Sequence, residues 1–170
     1  MNLLLRMLKV VFKALMGPRL APLGDSLLSF RVWPNDLDLN LHMNNGRYLT
    51  LMDLGRIDLT IRTGIGRAAL RGRWRPMVGA ATIRFRRGLG PFQRYDLRTR
   101  LLCWDQKWFF MEQRFEVAGQ VYASALIKGV FVGPREKISP REVAQAIGHD
   151  GVSPPLPEEV RAWLQWEPPA

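Results

Sequence analysis

The stretch DLDLNLHMNNGRYL, from Asp36 to Leu49, holds two aspartates, one histidine and three asparagines within fourteen residues. The carboxylate of Asp38 can attack a carbonyl carbon or activate a water molecule, and the imidazole of His42 can supply a proton to a leaving group. The amide of Asn40 can hydrogen-bond to Asp38 or to an attacking water. The alternative is structural, since Asn44 or Asn45 could simply cap the start of a helix.

A helix is predicted directly after these residues, from about Asn45 to Arg62, because apolar side chains recur on one face. The first turn of a helix has N–H groups without intrahelical acceptors and carries the positive end of the helix dipole. Both suit an oxygen that gains negative charge, so the backbone N–H of Asn45 joins the candidates. The candidate catalytic residues are therefore Asp38, His42, Asn40 and Asn45.

The rest of the chain predicts the framework that positions this loop and helix. Strands are predicted at 27–33, 77–87, 94–104, 108–117 and 121–132, and short C-terminal helices at 141–148 and 157–166. Short turns between alternating strands indicate antiparallel pairing. One apolar helix and one sheet predict an α+β domain in which the sheet wraps around the helix. Gly64 and Gly66 are predicted to end the helix, and residues 67–76 to form an arginine-rich connector.

The first sixteen residues, MNLLLRMLKVVFKALM, predict an amphipathic helix. The spacing of Arg6, Lys9 and Lys13 places the three charges on one helical face, with the leucines on the rest. The uncharged runs are too short to span a membrane, which takes about 20 apolar residues. Two interpretations stay open: a basic helix lying at a membrane surface, or a helix packed on the domain or on a dimer partner. The expected division is 1–20 for this helix, 21–135 for the main domain and 136–170 for a C-terminal helical extension.

The charge pattern favours an anionic partner. The formal net charge is +10. Between Arg56 and Arg100 the sequence contains twelve arginines against Asp58 and Asp96, which gives 12 − 2 = +10 and accounts for the whole excess. Nucleic acid, a phosphorylated cofactor, an acidic carrier protein and a membrane face all fit such a segment, and a solvated basic face with no ligand is the alternative. Stacking platforms for nucleic acid are missing, because the basic strands alternate with aliphatic side chains.

Two further classes of site are not expected. Cys103 is the single cysteine, so no intrachain disulfide forms, and its apolar surroundings favour a packed thiol over a nucleophile. The two histidines and one cysteine show no metal-ligand spacing, so neither a metal nor another cofactor is expected.

The motif Asp38, Asn40, His42, Asn44, Asn45 and Tyr48 resembles the Asp-x-Asn-x-His-x-Asn-Asn-x-x-Tyr signature of plant fatty acyl-carrier-protein thioesterases. The arrangement over roughly residues 27–132 resembles the hotdog fold of the 4-hydroxybenzoyl-CoA thioesterase type. It is also similar to the group called thioesterase superfamily member six, whose members carry an apolar N-terminal segment. The plant enzymes place a Glu in the next strand, where this sequence has Gly88 and Leu89.

The resemblance implies hydrolysis of an acyl-CoA or acyl-carrier-protein thioester. It implies that Asp38 is nucleophile or base, that the N–H of Asn45 polarises the carbonyl, and that Asn40 and His42 assist. It also implies a homodimer or dimer of dimers with shared sites, working in the cytoplasm with residues 1–16 able to contact the inner membrane face. The expected substrate-binding residues are Tyr48, Arg84, Arg86 and Arg87. The alternative function is a non-catalytic acyl- or lipid-binding hotdog module at a membrane surface.

Overall fold

The computed structural model of the chain describes residues 3–166. Its helices are α1 (Leu3–Met16), α2 (Asn45–Arg62), α3 (Ile65–Gly72), α4 (Pro140–Ala146) and α5 (Glu158–Trp166), with a 3₁₀ turn at Pro34–Asp36. Its strands are β1 (Ser26–Arg31), β2 (Arg75–Phe85), β3 (Arg94–Trp104), β4 (Phe109–Val117), β5 (Gln120–Val132) and β6 (Lys137–Ile138).

The sheet has the order β1-β3-β4-β5-β2, with β6 paired to β5, and every pairing is antiparallel. The curled sheet packs on α2, whose Leu51 and Met52 are fully buried against Leu97 and Phe115. The α+β fold with a sheet wrapped around one long helix is therefore confirmed. Strand β2 lies at one edge of the sheet, and β1 lies at the other.

Gly55 allows α2 to lie close to the sheet. A Cβ atom at this position would come within 2.3 Å of the Thr99 hydroxyl oxygen and 2.9 Å of the Gln113 amide nitrogen. That amide donates to the carbonyl of Met52 at 2.9 Å and to the Thr99 hydroxyl at 2.8 Å. The backbone of α2 is thus hydrogen-bonded to Gln113 of β4, which fixes the distance between the helix and the sheet.

The predicted connector after α2 is wrong over most of its length, because residues 65–72 form the helix α3. Gly64 does end α2, with a φ of 88° in the left-handed region that glycine adopts without strain. Gly66 lies inside the next helix. Burial of Ile65 and Ala69 against Trp104 and its neighbours stabilises α3 despite that glycine.

The C-terminal extension packs on the sheet rather than standing apart from it. Val143 of α4 is fully buried in the cluster that contains Phe109 and Phe131. Val160 of α5 is buried with Cys103 on the other side of the sheet. Desolvation raises the pKa of the Cys103 thiol to about 11, so this buried thiol is protonated at neutral pH.

Helix α1 packs on α2 and differs from its predicted orientation. Arg6 does not share an exposed face with Lys9 and Lys13, because it is buried together with Val10 and Ala14. The lysines are exposed, as are the bulky apolar side chains of the outer face: Leu4, Leu5, Leu8, Phe12, Leu15 and Met16. One face is thus packed on the domain and the other is open. Within residues 3–166, no helix is both long and apolar enough to cross a membrane.

Candidate active site

The loop between the 3₁₀ turn and α2 closes on itself through backbone hydrogen bonds. Leu37 and Met43 form an isolated antiparallel bridge, and the N–H of Asn44 donates to the carbonyl of Asp36 at 2.8 Å. Leu41 at the tip has a φ of 57°, in the left-handed region that a leucine rarely occupies. The loop is therefore a defined, tightly turned structure that leads directly into the helix.

Asp38 lies on the open side of this loop. Its Oδ1 accepts hydrogen bonds from the backbone N–H groups of Asn40 at 2.8 Å and His42 at 3.3 Å. Among the hydrogen bonds of the described residues, none is made by its Oδ2. The carboxylate is partly exposed, and the residues Asn40 and His42 are exposed beside it. The loop thus holds one oxygen of Asp38 and leaves the second available for chemistry.

The start of α2 supplies free backbone donors at the end of the same loop. Asn44 is the N-cap, since its side chain accepts from the N–H of Gly46 at 2.9 Å and its carbonyl accepts from the N–H of Arg47 at 2.8 Å. No hydrogen bond of residues 3–166 uses the N–H of Asn45. This first-turn donor lies at the positive end of the helix dipole, where it can bind an oxyanion.

The loop between β2 and β3 packs against residues 36–45, the candidate catalytic loop. The N–H of Met43 donates to the carbonyl of Leu89 at 2.8 Å. The ring of His42 lies over Gly88, where an added Cβ would come within 2.6 Å of the imidazole Cδ2. A glutamate at this position, as in the plant enzymes, would displace the histidine. The site is therefore built around Asp38 without a second carboxylate from this strand.

Asp36 is the residue whose role the sequence did not reveal, because its place suggests only a turn residue. It is fully buried, and it accepts from Arg6, from Arg47 at 2.9 Å and from the N–H of Trp33 at 2.9 Å. Burial acts to raise the pKa of Asp36, but these hydrogen bonds outweigh it and hold the pKa below its ordinary value. The one available signal was Arg6, a charge among leucines that requires a partner if the helix packs on the domain.

Tyr48 supports the loop from inside the domain. It is 1% exposed, and its ring meets those of Phe85 and Phe115 edge-on at centroid distances of 5.1 and 4.8 Å. Desolvation raises the pKa of its phenol, and a backbone hydrogen bond from Leu89 opposes that effect. This burial favours a supporting role over the substrate contact predicted for Tyr48.

The arginine-rich segment divides into paired and exposed members. Four of its arginines form ion pairs with acids: Arg56 with Asp53, Arg62 with Asp58, Arg98 with Asp25 and Glu116, and Arg100 with Glu112. Arg86 and Arg87 are exposed and directly precede Gly88 beneath His42. Arg87 donates to the Gln120 side chain at 2.8 Å. Arg84 lines a cavity under α5 with Glu112, which separates it from the other two.

An apolar cavity of about 530 Å³ runs along α2 on the side of β2. Its walls come from α1, α2, α3 and the strands β2, β3, β4 and β5, and they include Leu3, Met7, Leu54, Ile57, Met111 and Phe131. The ion pair of Asp53 and Arg56 lies at its wall. No group of three His, Cys, Asp or Glu side chains in the described part of the chain is arranged to hold a metal ion.

Comparison with known proteins identifies a family and a similar fold. Residues 32–164 match the family model of the thioesterase-like superfamily. The chain is 37% identical over 166 residues to protein THEM6 of Xenopus laevis, which covers 92% of this chain and 76% of that protein. Its fold is similar to that of YbaW, a probable thioesterase from Escherichia coli, with 21% identity and a TM-score of 0.67 over 74% of this chain and 96% of that one. The gentisyl-coenzyme A thioesterase BH1999 gives 23% identity and a TM-score of 0.62 over 73% and 100%.

Proposed function

The chain belongs to the thioesterase-like superfamily and has the hotdog fold, and from this premise we propose that it hydrolyses an acyl thioester through Asp38. The observation that carries the proposal is the loop of residues 36–45. It leaves one oxygen of Asp38 without a partner among the described residues, and it ends at a helix start where the N–H of Asn45 is equally unused. An attacking group and an oxyanion site are the two requirements of acyl transfer.

In the proposed reaction, Asp38 takes a proton from a water molecule whose oxygen attacks the carbonyl carbon of the thioester. The electron pair of the C=O bond moves onto oxygen, where the N–H of Asn45 donates a hydrogen bond. The C–S bond then breaks, and the thiolate takes a proton from His42, which recovers one from Asp38. Asn40 orients the water. One water and one thioester yield one acid and one thiol.

Direct attack by the carboxylate is the second route through the same residue. An oxygen of Asp38 would bond to the carbonyl carbon, the C–S bond would break to release the thiolate, and an anhydride between Asp38 and the acyl group would form. Water then cleaves this anhydride to the free acid and the Asp38 carboxylate. Mass spectrometry of enzyme quenched during turnover distinguishes the two, because only the direct route adds the acyl mass to the peptide that contains Asp38.

The acyl part of the substrate fits the apolar cavity along α2. The cavity volume of about 530 Å³ and its leucine, isoleucine, methionine and phenylalanine walls suit an aliphatic chain. Thr50, which also lines the cavity, stands little more than one turn from Asn45. A chain whose carbonyl lies at the start of α2 is thus directed along the helix.

The thiol part of the substrate is proposed to be coenzyme A or the phosphopantetheine of an acyl-carrier protein, which share an anionic phosphate. Arg86 and Arg87 suit such a phosphate, since guanidinium groups bind it through paired hydrogen bonds. Changing both to Gln is expected to raise KM for acyl-CoA more than it lowers kcat, with an effect that shrinks as salt rises. Arg71→Gln on α3 is the matched control. Parallel assays with acyl-CoA and acyl-carrier protein identify the carrier.

A homodimer is proposed to complete the site. Strand β2 is an edge strand, and its Met77 and Val78 are 56% and 48% exposed where they line the acyl cavity. A second copy at this edge would pair the strand and cover both side chains. Light scattering of the purified protein measures the mass; a monomer at micromolar concentration would contradict the proposal.

Contact with an anionic membrane is proposed for the outer face of α1. Six bulky apolar side chains are exposed there, from Leu5 at 52% to Met16 at 75%, and Lys9 and Lys13 are exposed on the same helix. Such a face can enter the lipid interface while the lysines meet phosphate. Co-sedimentation with vesicles of anionic phospholipid is expected to fall in Leu8→Gln/Phe12→Gln. Equal sedimentation of parent and variant would contradict this contact.

The decisive test of the activity is release of free thiol from a panel of acyl-CoAs and acyl-carrier proteins of graded chain length. Turnover of at least one of them above the rate without enzyme is expected. A purified, folded protein that binds fatty acid and releases no thiol from any of them would instead be a non-catalytic acyl-binding module.

A further inference from the structure

The inner face of α1 touches two parts of the proposed site at once. Arg6 is fully buried and bonds to Asp36 at the base of the catalytic loop. Leu3 and Met7 line the apolar cavity along α2. The spacing of these three residues, i, i+3 and i+4, places them on one helical face.

The direction of α1 shows which end of the cavity Leu3 and Met7 reach. Arg6 lies at the level of Asp36, whose carbonyl accepts from Asn44 at the start of α2. Past the other end of α1, the N–H of Leu20 donates to the carbonyl of Arg62, the last residue of α2, at 3.0 Å. The two helices are therefore parallel, and Leu3 and Met7 stand at the end of the cavity nearest the catalytic loop.

The opposite end of the cavity is lined by the last turn of α2 and by residues packed next to it. Ile61, Ile65 and Phe131 lie there. At 1.5 Å per residue, Ile61 is about 24 Å along the helix from Asn45. A block near Met7 and a block near Ile61 would therefore obstruct different lengths of acyl chain.

We propose that α1 is part of the substrate site: Leu3 and Met7 form a wall that the acyl chain passes after its first few carbons, and the pair of Arg6 and Asp36 fixes that wall to the loop carrying Asp38. The inference rests on the proposed thioesterase activity. It assigns to residues 3–7 a share in choosing the acyl chain, in addition to any role of the outer face at a membrane.

The test measures kcat/KM for butyryl-, decanoyl- and hexadecanoyl-CoA in Met7→Trp, Ile61→Trp and the control Leu70→Trp, whose side chain is 83% exposed on α3. Met7→Trp is expected to lose about tenfold or more with both long substrates and to stay within about twofold for butyryl-CoA, because a bulkier side chain excludes only chains that must pass it. Ile61→Trp is expected to lower kcat/KM for hexadecanoyl-CoA alone, because only the longest chain extends toward residue 61. Leu70→Trp should match the parent.

A second measurement separates this inference from the activity itself. Displacement of a fluorescent fatty acid by decanoate and hexadecanoate reports on the cavity without hydrolysis, and it should weaken in Met7→Trp. One outcome is that the parent hydrolyses none of the substrates while fatty acid still binds the parent more tightly than Met7→Trp. In that case the thioesterase proposal fails, and the assignment of Leu3 and Met7 to the wall of the acyl site stands. The wall proposal would be wrong if folded Met7→Trp had the parental dependence of kcat/KM on chain length. It would also be wrong if kcat/KM fell as much for butyryl-CoA as for hexadecanoyl-CoA. Should Met7→Trp not fold, Met7→Phe carries the same test.

Discussion

Asp36 and Asp38 stand two residues apart in one loop and have opposite surroundings. Asp36 is fully buried and receives hydrogen bonds from two arginines and a backbone N–H. Asp38 is partly exposed and receives two backbone N–H groups on one oxygen. Both are carboxylates, yet only Asp38 has an oxygen available to a substrate.

The difference shows that the loop assigns its structural contacts to Asp36 and leaves Asp38 for the proposed reaction. The charge of Asp36 joins α1, the loop and α2 through Arg6 and Arg47, and a group so fully bonded has no freedom left for chemistry. The loop then presents Asp38 on its outer side, where the cost of burying a charge does not arise. The fully bonded inner aspartate thus positions the outer one, to which the proposed reaction is assigned.

The largest expected effect is on stability, from Asp36→Asn. Removing one partner of a buried ion pair leaves the other charge unpaired, which typically costs about 3–5 kcal/mol. The urea midpoint of Asp36→Asn should fall accordingly. The matched control is Asp53→Asn, because Asp53 also pairs with an arginine but its side chain is 61% exposed; water can take the place of this carboxylate, so the loss should stay within about 1 kcal/mol.

Equal losses of stability in Asp36→Asn and Asp53→Asn would contradict the structural role given to the buried Asp36. It is sharpened by Arg6→Met in the Asp36→Asn background, which removes the buried unpaired charge and should recover part of the loss. The same result bears on α1: a chain that begins at Gly17 would lack Arg6 and should lose stability too.

The second effect is on rate, from Asp38→Asn. The amide keeps the size and the acceptor oxygen for the N–H groups of Asn40 and His42, so the melting temperature should hardly change. Loss of an activated nucleophile or base should lower kcat about 100-fold or more. Asn40→Ala and His42→Ala are expected to cost less, since water can partly replace orientation and proton transfer. A folded Asp38→Asn with parental turnover would remove Asp38 from the mechanism.

Local patterns in the sequence predicted most of the framework. Helix α2 was expected at 45–62 and is observed at Asn45–Arg62, because a 3.6-residue apolar period and an asparagine cap act within one segment. The five long strands lie within about two residues of their predicted ends for the same local reason. The stretch that contains Asp38 is a loop before α2, as predicted, and the catalytic roles assigned to its residues stay predictions.

Contacts between distant segments could not be predicted in this way. The bond between Arg6 and Asp36 joins residues thirty apart, and nothing in either segment alone specifies it. The packing of α3 was missed because two glycines outweighed Ile65 and Ala69 in a local reading, whereas burial against β3 and β4 decides the structure. Arg6 was therefore placed on the wrong face of a correctly predicted helix.

The stability of the fold at acid pH is expected to depend on protonation of Asp36. Its folded-state pKa lies below its ordinary value of 3.8, so its contribution to stability is present above about pH 4 and is lost as pH falls through the lower, folded value. Arg47→Met removes one of the donors that hold this pKa down. The acid-induced fall in the urea midpoint should therefore be smaller in Arg47→Met and level off at a higher pH, although it begins near the same ordinary pKa, while the control Arg84→Met follows the parent. Superimposable pH profiles for parent and Arg47→Met would show that Asp36 does not dominate acid unfolding.

The smallest expected effect separates two adjacent asparagines at the end of the loop. Asn44→Ala removes the side-chain oxygen that accepts from the N–H of Gly46 at 2.9 Å, and loss of such an N-cap costs about 1 kcal/mol. Asn45→Ala should cost less stability, because its side chain is exposed and alanine favours the first helical turn. Its kcat should also stay near the parental value, since the proposed oxyanion donor is the backbone N–H, which alanine retains. A large loss of kcat in Asn45→Ala at unchanged stability would move the oxyanion contact to the side chain.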